Sequence, residues 1–114
     1  MSFSEIDYLL HIQEELSFLE EDAKNYNYES FCSDKKTILS YTRSLEIIGE
    51  ACKNITPDFR LKYPQIDWKG FAGLRDIIIH QYFGIDYEIV WKTVTEEVPE
   101  ALSAIKKIIA YLQA

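Results

Sequence analysis

Residues 5–23 read EIDYLLHIQEELSFLEEDA, and this stretch decides the fold. Ile6, Leu9, Ile12, Leu16, Leu19 and Ala23 recur at steps of three and four, the spacing that gathers apolar side chains on one face of a helix. Ser4 stands just before the run with Asp7 three residues on, a pairing related to the capping box. The same period returns along the chain. Ile38, Tyr41, Leu45, Ile48 and Cys52 mark a second helix that starts between Ser30 and Ser33 and stops before Asn54. Phe71, Leu74, Ile77 and Ile78 point inward from a helix that opens at Trp68, behind Asp67 as N-cap, and ends near Tyr82 and Phe83, where Gly84 supplies a left-handed cap. Ile89, Val90, Val94, Leu102, Ile105, Ile109 and Leu112 mark the last helical stretch, capped by Asp86, with Pro99 expected to kink or divide it. Thr56 and Pro57 open a short helix through about Leu61, and Tyr63 before Pro64 is held extended. No strand-like alternation of useful length occurs. The expected architecture is all-α: an antiparallel up-and-down bundle of four main helices plus a short one, in a single domain over residues 1–114.

Composition agrees with a folded cytoplasmic protein. The chain has 114 residues, 47% hydrophobic and 27% charged, enough to bury a core without staples. No apolar run approaches the length of a membrane span, and the N-terminus lacks the basic-then-apolar pattern of a secretion signal. Cys32 and Cys52 form no metal or redox pair and read as idle thiols. The net charge of −7 is unevenly spread. Residues 1–30 hold eight acids against Lys24 alone, so the acidity belongs to the first helix and the remainder is neutral. That excludes a global basic field for coating nucleic acid, yet leaves room for a locally basic site.

The chemistry gathers at Arg75-Asp76-Ile77-Ile78-Ile79-His80-Gln81-Tyr82. Arginine's planar fork suits a phosphate, and histidine exchanges a proton near neutral pH. Arg75 and His80 are therefore candidates for metal-independent phosphodiester chemistry, without a cofactor. A helix running unbroken would set Arg75 and Tyr82 about 20° apart and Arg75 and His80 about 140° apart. Either a π-type turn brings i and i+5 together, or the site is completed across a two-fold interface; the second is favoured. The plain readings stay beside these: His80 as a satisfied histidine at the edge of the core, Asp76 as a solvated helix acid. His11 reads as structural or exposed, and Glu50 as a surface carboxylate able to line a cleft. Ile47, Ile48, Ile77, Ile78 and Ile79 are too many for one buried stripe and point to a second buried face. No His, Cys and Asp cluster has metal-ligand spacing.

Arg75-x4-His80-x-Tyr82 resembles the RX4HXY signature of HEPN-domain toxins of the HepT-like group. The resemblance extends over about residues 5–112, through Leu45 to Ala51, Thr56 to Arg60, Trp68 to Leu74, Tyr82 to Asp86, and Val90-Trp91. It implies a HEPN-like helical fold and a metal-independent endoribonuclease, acting as a homodimer with a composite site. It further implies the toxin of a type VII-like toxin–antitoxin pair, partnered by a minimal nucleotidyltransferase that transfers AMP to Tyr82. Arg75 and His80 would be catalytic and Asp76 supporting. RNA supplies its own 2′-hydroxyl nucleophile. The alternative is a non-catalytic helical partner that docks the nucleotidyltransferase.

Overall fold

Several helices begin at a side chain able to hold a free backbone N–H, and these caps set the frame. A computed structural model describes residues 3–80 and 84–114, with the backbone but not the side chain of His80 among them. Helix α1 spans Glu5–Ala23, and the Ser4 N–H and hydroxyl both donate to Asp7 Oδ2 at 2.9 Å. Helix α3, Lys35–Lys53, starts at Asp34, which accepts from the Thr37 N–H at 3.1 Å. Helix α4, Pro57–Lys62, starts at Thr56, and α5, Trp68–Ala72, at Asp67. Helix α7, Tyr87–Lys92, starts at Asp86, which accepts from the Ile89 N–H at 3.1 Å.

The segment before α3 departs from expectation. Asn27 caps a separate short helix, α2, Tyr28–Cys32, accepting from the Ser30 N–H at 2.8 Å while its own N–H donates to Ser30 Oγ at 3.0 Å. Asparagine is a poor helix former because its amide competes for nearby backbone groups, and the same competition makes it a strong cap.

The larger difference lies at the helix from Trp68. It does not run unbroken to Tyr82. Gly73 ends α5 and begins α6, Leu74–Ile78, and the chain then turns extended. Strand β1, Ile79–His80, pairs antiparallel with β2, Gly84–Ile85, in the register Ile79 with Ile85 and His80 with Gly84. The Asp86 N–H donates to the Ile78 carbonyl, so the last carbonyl of α6 is satisfied from beyond the hairpin. Three successive β-branched residues favour this switch. Gly84 does take a left-handed conformation, at φ 77°, but in the hairpin and not as a helix cap.

The last helical stretch is α7, a π-helical turn at Thr93–Glu97, and α8, Val98–Gln113. The Val98 N–H reaches back to the Thr93 carbonyl, five residues earlier. The interruption expected at Pro99 therefore takes the form of a widened turn just ahead of it, which relieves the clash of a proline ring with the preceding turn.

The all-α bundle is as the periodicity predicts. Helix α1 packs on both α3 and α8, and α3 carries α5 and α6 on its other side. Leu9, Ile12, Leu16 and Leu19 of α1 meet Ile38, Tyr41, Leu45 and Ile48 of α3 and Leu102, Ile105 and Ile109 of α8 in one apolar cluster. Ile77 and Leu112, expected inward, are exposed. Polar stitches join α1 to α3. Tyr41 Oη donates to Asp22 Oδ2 and Ser44 Oγ to Glu15 Oε1, each at 2.7 Å. Burial, then the Asp22 carboxylate, push the Tyr41 phenol well above its usual range. At the far end of α3, Arg60 Nη2 donates to the Cys52 carbonyl at 2.6 Å and Nε to the Ile55 carbonyl at 3.1 Å, covering carbonyls freed where the helix stops.

Helices α3 and α5 approach backbone to backbone at Gly49. A methyl group there would stand 2.7 Å from the Phe71 carbonyl oxygen.

The Asp34 cap has a pH signature. The Thr37 N–H holds the carboxyl below its ordinary 3.8. A depressed folded-state value adds stability above the unfolded value, and this is lost as pH falls through the folded one. Asp34→Asn keeps an acceptor but has no charge to lose. Its unfolding midpoint is therefore expected to fall less steeply than that of the wild type as pH drops below about 3.8. Parallel acid titrations of both proteins, followed by circular dichroism, check this.

Candidate active site

Arg75 stands in the first turn of α6, one residue beyond buried Leu74, so the same turn that anchors the helix in the core aims Arg75 away from it. Its Nε lies 3.2 Å from Glu46 Oε2 on α3, with the arginine side chain two-thirds exposed and the glutamate about one-quarter exposed. The pair sits in an open groove of about 400 Å³. Helix α3 lines it with Arg43, Glu46, Ile47 and Glu50, residues at helical spacing on the face away from the Tyr41 and Ile48 stripe. Helix α1 lines the other wall with Tyr8 and His11, one turn apart. Glu50 Oε2 has Lys53 Nζ 3.9 Å away. Among the described residues Arg75 has Glu46 as its one ionic partner, and taking Nε alone leaves the terminal amino groups of the guanidinium for another oxyanion.

The sequence-derived site residues fare differently. Glu50 does line the groove with Arg75. Asp76 is exposed on α6 and is not among the groove's lining residues. The backbone of His80 is two residues past the end of α6, in the β1–β2 ladder. The helical-wheel angles for Arg75, His80 and Tyr82 therefore do not apply, because α6 stops at Ile78. The local π turn considered for this segment occurs instead at Thr93–Glu97. Tyr82 and the side chain of His80 lie outside the described residues.

His11 is exposed, as expected, but it shares the groove with Arg75. That was not legible in the sequence, and neither was Arg43. The available signal was the spacing of Arg43, Glu46 and Glu50 at i, i+3 and i+7, a polar stripe opposite the apolar one. The buried thiol offers no ready nucleophile. Burial pushes the Cys52 thiol up to about 12, and Cys32 is half-buried with no disulfide. Among the described residues no three His, Cys, Asp or Glu side chains converge as metal ligands, and no helix is long and apolar enough to cross a membrane.

Comparison with known proteins gives the chemical class. Residues 12–108 match the family described as "Ribonuclease HepT-like". A Caldanaerobacter subterraneus subsp. tengcongensis protein named "Putative RNase" is 45% identical over 102 residues, covering 90% of this chain and 91% of its own. The "Probable ribonuclease HepT" of Thermococcus cleftensis is 44% identical over 108 residues, covering 95% and 98%. A Methanocaldococcus jannaschii protein, again named "Putative RNase", is 46% identical over 102 residues, covering 90% and 84%. No solved structure matches the chain at comparable significance. With an arginine-bearing groove on an all-α bundle and a match across most of its length, the chain belongs to the HepT-like ribonuclease family.

Proposed function

We propose that this ribonuclease cleaves RNA by attack of the substrate's own 2′-hydroxyl on the adjacent phosphorus, with Arg75 and His80 as the catalytic groups. The bond from the 2′-oxygen to phosphorus forms and the bond from phosphorus to the 5′-oxygen breaks. A histidine takes the 2′-hydroxyl proton, and the departing 5′-oxygen gains one. Because RNA brings the nucleophile, no metal-bound water is required. Arg75 stabilises the charge that grows on the phosphoryl oxygens. The observation that carries this reading is the Arg75 guanidinium, held through Nε by Glu46 at 3.2 Å over an open groove. The family membership supports RNA as the substrate.

Two copies of the chain complete the cleft in this reading, so that two histidines divide the roles of acid and base. The exposed Ile77, next to the motif histidine's strand, supports a second buried face there. The protein acts as the toxin of a pair, and a minimal nucleotidyltransferase silences it by transferring AMP to Tyr82. Adenylation would set a phosphate and added bulk two residues from His80 in sequence, in competition with the substrate's own phosphate. Asp76, exposed on α6 next to Arg75 in sequence, has a supporting role.

Mapping the ends of RNA fragments tests the chemistry. The expected product ends in a 2′,3′-cyclic phosphate or its hydrolysis product on one side and a 5′-hydroxyl on the other. Fragments that carry 5′-phosphates would refute 2′-hydroxyl attack. Intact-mass analysis after incubation with the cognate transferase and ATP tests the silencing: AMP-sized increments are expected on the wild type and not on Tyr82→Phe.

A further inference from the structure

We propose that Arg43 of α3, with Tyr8 and His11 of α1, forms a second subsite in the Arg75 groove that binds the phosphate and base of the nucleotide next to the scissile bond. The inference rests on the reading of Arg75 as the scissile-phosphate group. Its basis is a charge account of the groove. Glu46 is paired with Arg75 at 3.2 Å, and Glu50 has Lys53 at 3.9 Å. Among the described residues Arg43 has no ionic partner. The lining carries two carboxylates and two guanidiniums, but Glu50 is matched from outside it by Lys53, so Arg43 remains the lining guanidinium with no carboxylate committed to it. An exposed guanidinium left over in a concave site is suited to an oxyanion, because its fork can hold two phosphoryl oxygens at once.

Position sets which phosphate. Arg43 precedes Glu46 by three residues, a rise of about 4.5 Å along α3, and Glu46 is the residue that holds Arg75. Arg43 and the residue that holds Arg75 therefore stand roughly one turn apart along α3, a step of the kind that separates neighbouring phosphates on an extended strand. Across the groove, Tyr8 is half-buried, with its ring edge-on to Phe3 at 5.9 Å between centroids. A half-buried aromatic ring that lines a groove is a platform for a base. His11, one turn further along α1, adds an exposed imidazole donor beside it. The groove's volume of about 400 Å³ lies within the range of small-ligand sites.

The test uses a five-nucleotide, fully 2′-O-methylated single strand, which cannot be cleaved by its own 2′-hydroxyl, and fluorescence anisotropy across a salt series. Arg43→Gln is expected to weaken binding about tenfold and to lower the slope of log affinity against log salt by about 0.7, the value for one phosphate contact on a single strand. Arg43→Lys, which keeps the charge, is expected to retain the wild-type slope. Equal affinity and slope for wild type and Arg43→Gln, both folded by circular dichroism, would overturn the subsite. So would a loss of cleavage in Arg43→Gln that is as large on a dinucleoside monophosphate, with its single phosphate, as on a five-nucleotide RNA; the loss is expected to be several-fold greater on the longer strand. A wild type that binds with this Arg43 dependence but cleaves neither RNA upholds the subsite and overturns the catalytic reading instead.

Discussion

His80→Ala is expected to lower the cleavage rate about 10²- to 10⁴-fold, the usual loss on removing a general acid or base. The fall should appear in kcat, because proton transfer belongs to the transition state and not to strand binding. The hairpin that carries His80 is held by backbone pairing, Ile79 with Ile85 and His80 with Gly84, so the substitution leaves the ladder's hydrogen bonds available. Arg75→Ala provides the contrast. Its guanidinium is two-thirds exposed and its ion pair is a surface one, worth at most about 1 kcal/mol to folding. Its loss should therefore spare stability while lowering both kcat and strand affinity. Single-turnover cleavage with strand binding measured in parallel separates the two variants. Undiminished cleavage by His80→Ala would remove His80 from the mechanism.

Phe31→Ala is expected to cost about 3–5 kcal/mol of stability. Phe31 is fully buried, stacked on Tyr41 at 5.5 Å and tilted against Trp91 at 5.1 Å. It is the buried residue of five-residue α2, so it ties that short helix to α3 and α7. Deleting the ring would remove the aromatic contacts and leave a cavity between α3 and α7. Urea unfolding should show a lower midpoint with an unchanged slope. Helix α2 lends nothing to the Arg75 groove, so the folded fraction should keep its rate of RNA cleavage per molecule. A midpoint within about 1 kcal/mol of wild type would mean that the site repacks almost completely.

What the sequence made legible was local. Asp7 takes the Ser4 N–H, and the caps at Thr56, Asp67 and Asp86 each act on a backbone N–H three residues on, where the residue type puts them. The buried stripes of α1 and α3 follow directly from period. Two misreadings have a common cause. Asn27 opens a helix of its own, and Ile77 to Ile79 leave the helical path, both at short segments where period has too few residues to decide. At the site, Arg75 was visible from its motif. His11 and Arg43 were not, because they lie 64 and 32 positions from Arg75 and meet it only through the packing of α1 and α5 against α3. Helical-wheel geometry on a single segment cannot report such a meeting.

The contact of Gly49 with the Phe71 carbonyl also sets how this enzyme can diversify. Glu46 and Glu50 flank Gly49 on α3, and Arg75 hangs from the segment that Phe71 anchors. With no side chain interposed, the two supports sit closer than any residue larger than glycine would allow at this point, and the span between Glu46 and Arg75 is set like that of a calliper locked at its stop. Natural or engineered variation in substrate range then has one inexpensive route, exchange of the side chains at positions 8, 11, 43 and 50. Widening the groove through the backbone would require a larger residue at position 49, and so would draw on the stability of the whole bundle.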